Sequence, residues 1–235
     1  MMSVATANVE APAKVSRLAA FWQSQIGKKF ISALTGIVLF LFVIGHLLGN
    51  LQAFQGMDKL NAYAHFLQSA KGLLWTTRVV LLGAVILHAT AGIQLYLGSR
   101  AARPVPYRAP LVPSSPVSSR TMIWTGLLTL AFVVYHLLDL TLGAAVVHAG
   151  FVPGDAYFNL VATFHNYGKV IFYGISLIGL GLHLSHGLYS MLQSLGFRSQ
   201  LWTPRFRAAA VVIGLVLAIF YILIPVGVVT GLIRL

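Results

Sequence analysis

The 235-residue chain has no cysteine. That excludes disulfides, thiolate-ligated iron–sulfur clusters and the C-x-x-C-H attachment of c-type haem. Acid is nearly as scarce, with 4 Asp and Glu against 16 Lys and Arg, and charged residues make up only 9%. A soluble domain carries about 25% charge. So few charges cannot clothe a globule of this size, which excludes a soluble enzyme and a disordered tail. The apolar runs are continuous rather than alternating, which excludes a transmembrane β-barrel. What is present is apolar: 58% of residues are hydrophobic and the mean hydropathy is +0.84. An integral membrane protein remains. The net charge of +12 would suit a nucleic-acid partner, but in a membrane chain basic residues mark the cytoplasmic face, so no nucleic acid is expected.

Five apolar stretches are each long enough to cross a hydrocarbon core of about 30 Å. They run from Phe30 to Leu51, Leu74 to Leu97, Thr121 to Ala145, Asn166 to Leu192 and Ala208 to Gly231. Residues 1–29 read as a polar, mildly basic cytoplasmic segment without a signal-peptide pattern. Residues 30–235 read as one five-helix bundle. The Ser99–Arg120 connection has five prolines and four arginines and reads as an extended loop. Gln52–Leu73 contains DKLNAYAHFLQSAKG, a candidate amphipathic surface helix. His148–His165 carries PGD and reads as a turn-rich loop. No whole-span repeat stands out.

Basic residues orient the bundle. Lys14, Arg17, Lys28 and Lys29 precede span one, and Arg100, Arg103, Arg108 and Arg120 follow span two. Arg198, Arg205 and Arg207 follow span four. Eleven of the 16 basic residues therefore share one side. The positive-inside rule makes it the cytoplasmic side, with the N-terminus inside and the C-terminus outside.

The surplus residue is histidine, of which there are eight. His46, His88, His136 and His183 each lie well inside a span. An ionisable group there is costly and points to function. Each lies roughly 21–26 Å along its helix at 1.5 Å per residue. Spans one and three run outward, so His46 and His136 share an outer layer. Spans two and four run inward, so His88 and His183 share an inner one. The layers are expected roughly 10–15 Å apart. Two facing imidazoles in an apolar bundle suit the axial places of a haem iron, and two such sites across a bilayer suit electron transfer. Zinc would prefer a closed cluster with further ligands at one depth. Gly45, Gly49, Gly83, Gly92, Gly179, Gly181 and Gly187 flank these histidines. They suit either close approach of a large ring or ordinary helix packing. His186 is an alternative to His183, though depth matching slightly favours His183.

The segments GKKFISALTGIVLFLFVIGHLLGNL (27–51), NAYAHFLQS (61–69), LHATAGIQLYL (87–97), VYHLLDL (134–140), LHLSHGLYS (182–190) and TPR (203–205) occur in that order. Together they resemble the membrane-anchor cytochrome b subunit of succinate:quinone oxidoreductases and quinol:fumarate reductases. The likeness is to the single-subunit, five-helix, two-haem type and covers about four spans. It implies two haem b groups, with His46 and His136 as ligands of the outer iron and His88 and His183 of the inner. In the fourth-helix pattern the ligand precedes a Gly-Leu-aromatic segment by four positions, which selects His183 ahead of Gly187, Leu188 and Tyr189. The resemblance further implies a flavoprotein subunit with FAD and an iron–sulfur subunit docked on the cytoplasmic face. Electrons then pass between succinate or fumarate and a membrane quinone, menaquinone or ubiquinone. This chain holds no catalytic residue for succinate oxidation. Its expected place is the cell's inner (cytoplasmic) membrane, in contact with lipid, and the whole complex is open to higher oligomers.

Lys28, Lys29, Ser32 and Arg120 are candidates for haem propionates, through charge-assisted hydrogen bonds, or simply topology signals in the case of the lysines. Quinone needs an apolar slot, donors for its carbonyls and a proton route. Outer candidates are His65, Gln52, Asn50 and Asp139, and inner candidates are Trp22 and Ser24. Asp139 is the one acid within a span. His148 and His165 read as outer-loop residues, and Pro225 as a kink in a closing fifth helix. Alternatives are a dihaem anchor of a hydrogenase or formate dehydrogenase, a haem-free transporter or channel, and a membrane di-iron enzyme such as a desaturase.

Overall fold

The structure is a computed structural model that describes residues 16–102 and 117–235. Lys14, Arg103, Arg108 and most of the proline-rich connection lie outside the described residues. The chain begins with a short helix α1 (Arg17–Gln23), capped by Ser16, whose hydroxyl accepts from Ala19 N. Ser24 ends α1 and caps α2 (Gln25–Asn50) by accepting from Gly27 N at 2.9 Å. Span one thus begins five residues before the apolar run, because the cap rather than hydropathy sets the helix start. A 3₁₀ turn (Leu51–Gln55) and Gly56, at φ 98°, lead into α3 (Met57–Ser69), a helix in the segment where an amphipathic one is expected. Then come α4 (Lys71–Ala101), α5 (Val117–Arg120) and α6 (Met122–His136). A π turn (Leu137–Thr141) extends α6. Helices α7 (Ala156–Phe164), α8 (Tyr167–Ser194) and α9 (Trp202–Val229) complete the order. No strand occurs among the described residues.

Five helices are long and apolar enough to cross a membrane: Gln25–Gln55, Lys71–Ala101, Met122–Thr141, Tyr167–Ser194 and Trp202–Val229. Many of their large apolar side chains point outward, including Leu41, Leu48, Val79, Leu82, Ile171 and Ile219. Such faces suit lipid rather than water. Helices α2, α4, α6 and α8 form a ring in which each packs on its two neighbours, and α9 lies against α8 and α2. The α8–α9 contact is a backbone approach. A Cβ built at Gly214 would stand 2.6 Å from Gly181 O. Those two glycines serve helix packing.

The expected turn-rich loop contains α7, which corrects that expectation. Asp155 caps it by accepting from Phe158 N at 2.9 Å. Tyr157, Leu160, Val161 and Phe164 then bury one face at helical spacing. Helix α7 meets α3 through Asn61, whose amide donates to Asp155 Oδ1 and accepts from Tyr157 N, both at 2.9 Å. Most of the buried apolar core gathers at this α3–α7 end.

The structure also exposes a repeat that was not expected. Thr35-Gly36, Phe42-Val43 and His46-Leu47-Leu48 recur 90 residues later as Thr125-Gly126, Phe132-Val133 and His136-Leu137-Leu138. Leu87-His88 and Gly92 recur 95 residues later as Leu182-His183 and Gly187. The copies behave alike. Thr35 and Thr125 each donate to the carbonyl four residues back, at 2.7 and 3.1 Å. Phe42 and Phe132 each lie against the histidine of their own helix, with centroids 5.3 and 5.7 Å apart. The α2–α3–α4 and α6–α7–α8 hairpins pack α2 on α8 and α4 on α6. Exchanging the hairpins in chain order maps the α2–α8 contact onto the less extensive α4–α6 contact.

Candidate functional site: two histidine pairs between the spans

The ring of four helices brings the four span histidines together in the expected pairs. The His46 and His136 rings are 5.7 Å apart between centroids, at 87°. The His88 and His183 rings are 6.2 Å apart, at 67°. The pairs lie at different levels. A Cβ at Gly36 would meet His88 Cε1 at 3.4 Å, and one at Gly126 would meet His183 Cε1 at 3.1 Å. Each of those glycines lies ten residues before the upper-level histidine of its own helix. Ten residues of helix separate the two layers by about 15 Å, the top of the expected range.

The second ring nitrogens have distinct partners. His88 Nδ1 is 3.0 Å from the carbonyl of Ser32 and 3.4 Å from Thr35 Oγ1. A carbonyl only accepts, so this geometry puts the proton on Nδ1 and leaves Nε2 with a free lone pair. His183 Nδ1 is buried without a hydrogen bond of normal geometry, although the Met122 carbonyl faces it. Ser32 and Met122 each lie 14 residues before the histidine of their own span, so the two hairpins present matching carbonyls. His136 Nδ1 is 3.4 Å from Tyr173 Oη. His186 faces away from the pair, with its Nε2 2.9 Å from Ser190 Oγ. Of the two candidates on span four, His183 is the one opposite His88.

At the α3–α7 end a polar cluster surrounds Asp139, which is fully buried in the π turn. Lys169 Nζ lies 2.6 Å from Asp139 Oδ1, and Tyr173 donates to Oδ2 at 3.0 Å. Thr163 donates to Oδ1 at 3.3 Å, and His148 Nδ1 is 3.0 Å from the Asp139 carbonyl and 3.1 Å from Oδ1. His148 is therefore buried and partnered, not a plain loop residue as expected. His165, too, is tied down, with Nδ1 2.8 Å from the Val161 carbonyl. Asp139 bonds the imidazole of His148 rather than that of His136.

The other expected site residues scatter. His65 is exposed on α3, and a Cβ at Gly154 would meet its ring at 3.8 Å. Gln52 is half-buried in the 3₁₀ turn, and Asn50 donates to the His46 carbonyl at 2.7 Å. Trp22 is half-buried on α1, and the Ser24 hydroxyl is used as a cap. Lys28 is half-buried while Lys29 and Arg120 are exposed. Ser32 reaches the site through its carbonyl. The flanking glycines divide. A Cβ at Gly45, Gly83 or Gly92 would meet no atom within 4 Å, whereas one at Gly49 would collide with the Tyr63 ring. Among the described residues no group of three or more His, Cys, Asp or Glu side chains gathers as a metal site.

No family model, curated protein or solved structure matches this chain.

Proposed function

We propose that this chain is the membrane-anchor cytochrome b subunit of a succinate:quinone oxidoreductase, with two haem b groups held by paired histidines. His46 and His136 would hold one iron and His88 and His183 the other. The observation that carries the proposal is the presence of two histidine pairs at two levels of one apolar bundle.

The residues fit the group. One iron shared by two imidazoles would need the two rings to face each other at close range. The observed separations are 5.7 and 6.2 Å. The His88 and Ser32 geometry leaves Nε2 as the ligating nitrogen, the usual arrangement in which the other ring N–H is held by a carbonyl. Gly45, Gly83 and Gly92 leave room beside the ligands for a large flat ring. The absence of cysteine restricts the haem to the noncovalent b type.

When bound, the haems supply one-electron carriage across the bundle. The chain's own residues do the rest. The four histidines would hold the two irons, two imidazoles to each, which suits electron transfer rather than oxygen binding. The apolar spans exclude water. Partner subunits with flavin and iron–sulfur clusters would dock on the cytoplasmic face, where the basic residues gather. Succinate loses two electrons and two protons on becoming fumarate, and quinone gains two of each. The same anchor serves the reverse reaction in a quinol:fumarate reductase. Lys28, Lys29, Ser32 and Arg120 remain the propionate candidates. His65, Gln52, Asn50 and Asp139 remain the quinone candidates at the outer end, and Trp22 and Ser24 at the inner. The proposed location is the cytoplasmic membrane.

Pyridine-haemochrome analysis of the purified chain tests the proposal, with two haems b per chain expected. His46→Ala and His88→Ala should each lose one haem, and a different one. Fewer than two haems in fully loaded protein, or loss of the same haem from both variants, would overturn it.

A further inference from the structure

The Asp139 cluster is absent from the other half of the repeat. Gly49 stands where the 90-residue offset places Asp139, and the Tyr63 ring packs against it. Fully burying a carboxylate is costly unless it is paired and hydrogen-bonded. Helix packing alone would be served by the glycine already used in the first copy. The cluster therefore calls for a role on the side of His136.

Hydrogen-bond geometry indicates that role. A tyrosine hydroxyl has one proton. Tyr173 Oη lies 3.0 Å from Asp139 Oδ2 and 3.4 Å from His136 Nδ1. An ionised carboxylate can only accept, and Lys169 Nζ at 2.6 Å supplies the balancing charge. The Tyr173 proton is thus committed to Oδ2, and its oxygen presents a lone pair to His136. His136 Nδ1 must then be the donor, which leaves Nε2 free. Lys169, Asp139, Tyr173 and His136 form one chain from the end of α8 to the imidazole. At the other level His88 Nδ1 meets the Ser32 carbonyl, which carries no net charge, and His183 Nδ1 has no hydrogen-bond partner.

Resting on the dihaem proposal above, we propose that Tyr173 and Asp139 are positioning residues for His136. They fix its Nδ1–H tautomer and make it a stronger donor than its three counterparts. A ligand whose second nitrogen is bonded toward a carboxylate is more basic. Such a ligand favours the oxidised iron. The haem of the His46–His136 pair is accordingly held harder to reduce than its environment otherwise dictates.

Tyr173→Phe tests this. It removes the hydroxyl but keeps the ring against Phe132 and Phe164, whose centroids lie 5.1 and 5.0 Å away. Tyr221→Phe is the control. Its hydroxyl donates to the Val43 carbonyl at 2.7 Å, beside the same pair, with no link to an imidazole nitrogen. Redox titration of haem spectra is the readout, and the component missing in His46→Ala identifies the affected haem. In Tyr173→Phe that haem should become easier to reduce by about tenfold, or about 59 mV for one electron, with the other midpoint unmoved. Tyr221→Phe should move neither. Two haems per chain with both midpoints unmoved in Tyr173→Phe would overturn this inference alone, as would an equal shift in Tyr221→Phe. A wild-type chain without haem would overturn it together with the reading beneath it.

Discussion

The Asp139–Lys169 pair allows a prediction that needs no cofactor. Asp139 is fully buried, and the Lys169 side chain keeps 14% of its exposure. Removing one partner of a buried pair costs about 3–5 kcal/mol, because the other charge is left uncompensated. Lys169→Met strands the carboxylate. Tyr173 and Thr163 still donate to it, which puts the expected loss near the low end, about 3 kcal/mol. Asp139→Asn strands a lysine instead. A lysine with a long stem near the bundle end can turn its ammonium to water. The remaining cost is about 1–2 kcal/mol, the value of a charged hydrogen bond traded for a neutral one. The two single variants should therefore be unequal, with Lys169→Met the worse. The double variant should lose less than the sum, because no charge is left unpaired.

The assay is thermal unfolding of the purified protein in one detergent at one scan rate, which ranks variants even where unfolding is irreversible. For a chain of this size 1 kcal/mol is about 2–4 °C. Lys169→Met should fall by about 6–12 °C and Asp139→Asn by about 2–8 °C. If Asp139→Asn falls as far as Lys169→Met, or the double variant falls by the full sum, the account of the cluster is wrong.

Two more predictions follow from close contacts. Gly126→Leu places a branched side chain where even a Cβ would stand 3.1 Å from the His183 ring. It should displace His183 and lower haem content from two toward one per chain, sparing the His46–His136 site. Asn61→Ala removes both bonds joining α3 to α7 and leaves the Tyr157 N–H short of a partner. It should cost about 1–3 kcal/mol, seen as a lower unfolding midpoint and faster proteolysis within residues 148–165.

The five spans were legible because each is a long apolar run, and hydropathy alone marks such a run. The histidine pairs were legible because 1.5 Å per residue converts sequence position into depth, and depth leaves few partners. Helix α7 was not, because Pro153-Gly154-Asp155 reads as a turn. The overlooked signal was Asp155 as a cap, followed by apolar residues at helical spacing. The partners of Asp139 were harder still. Thr163 and His148 sit beyond an irregular connection that turns at Gly143 and Gly150, both at positive φ. Lys169 stands 30 residues away, in the first turn of the next span. Only the packed hairpin brings them to one carboxylate.

The repeat accounts for why there are two pairs at all. Each hairpin supplies one histidine to each level, so each pair draws one imidazole from each copy. Its identities are few in each span and need two different offsets, 90 and 95 residues, so an ungapped comparison of whole spans dilutes them. Two copies of one hairpin would build equivalent sides for each pair. The level of His88 and His183 keeps part of that equivalence, with Gly36 and Gly126 against the rings, although His88 Nδ1 meets the Ser32 carbonyl and His183 Nδ1 has no hydrogen-bond partner. The other level breaks it, since Asp139 replaces a glycine and draws in Lys169, Tyr173, Thr163 and His148. Among the described residues Asp139 is the one fully buried carboxylate, and it makes the two sides of the His46–His136 pair chemically different.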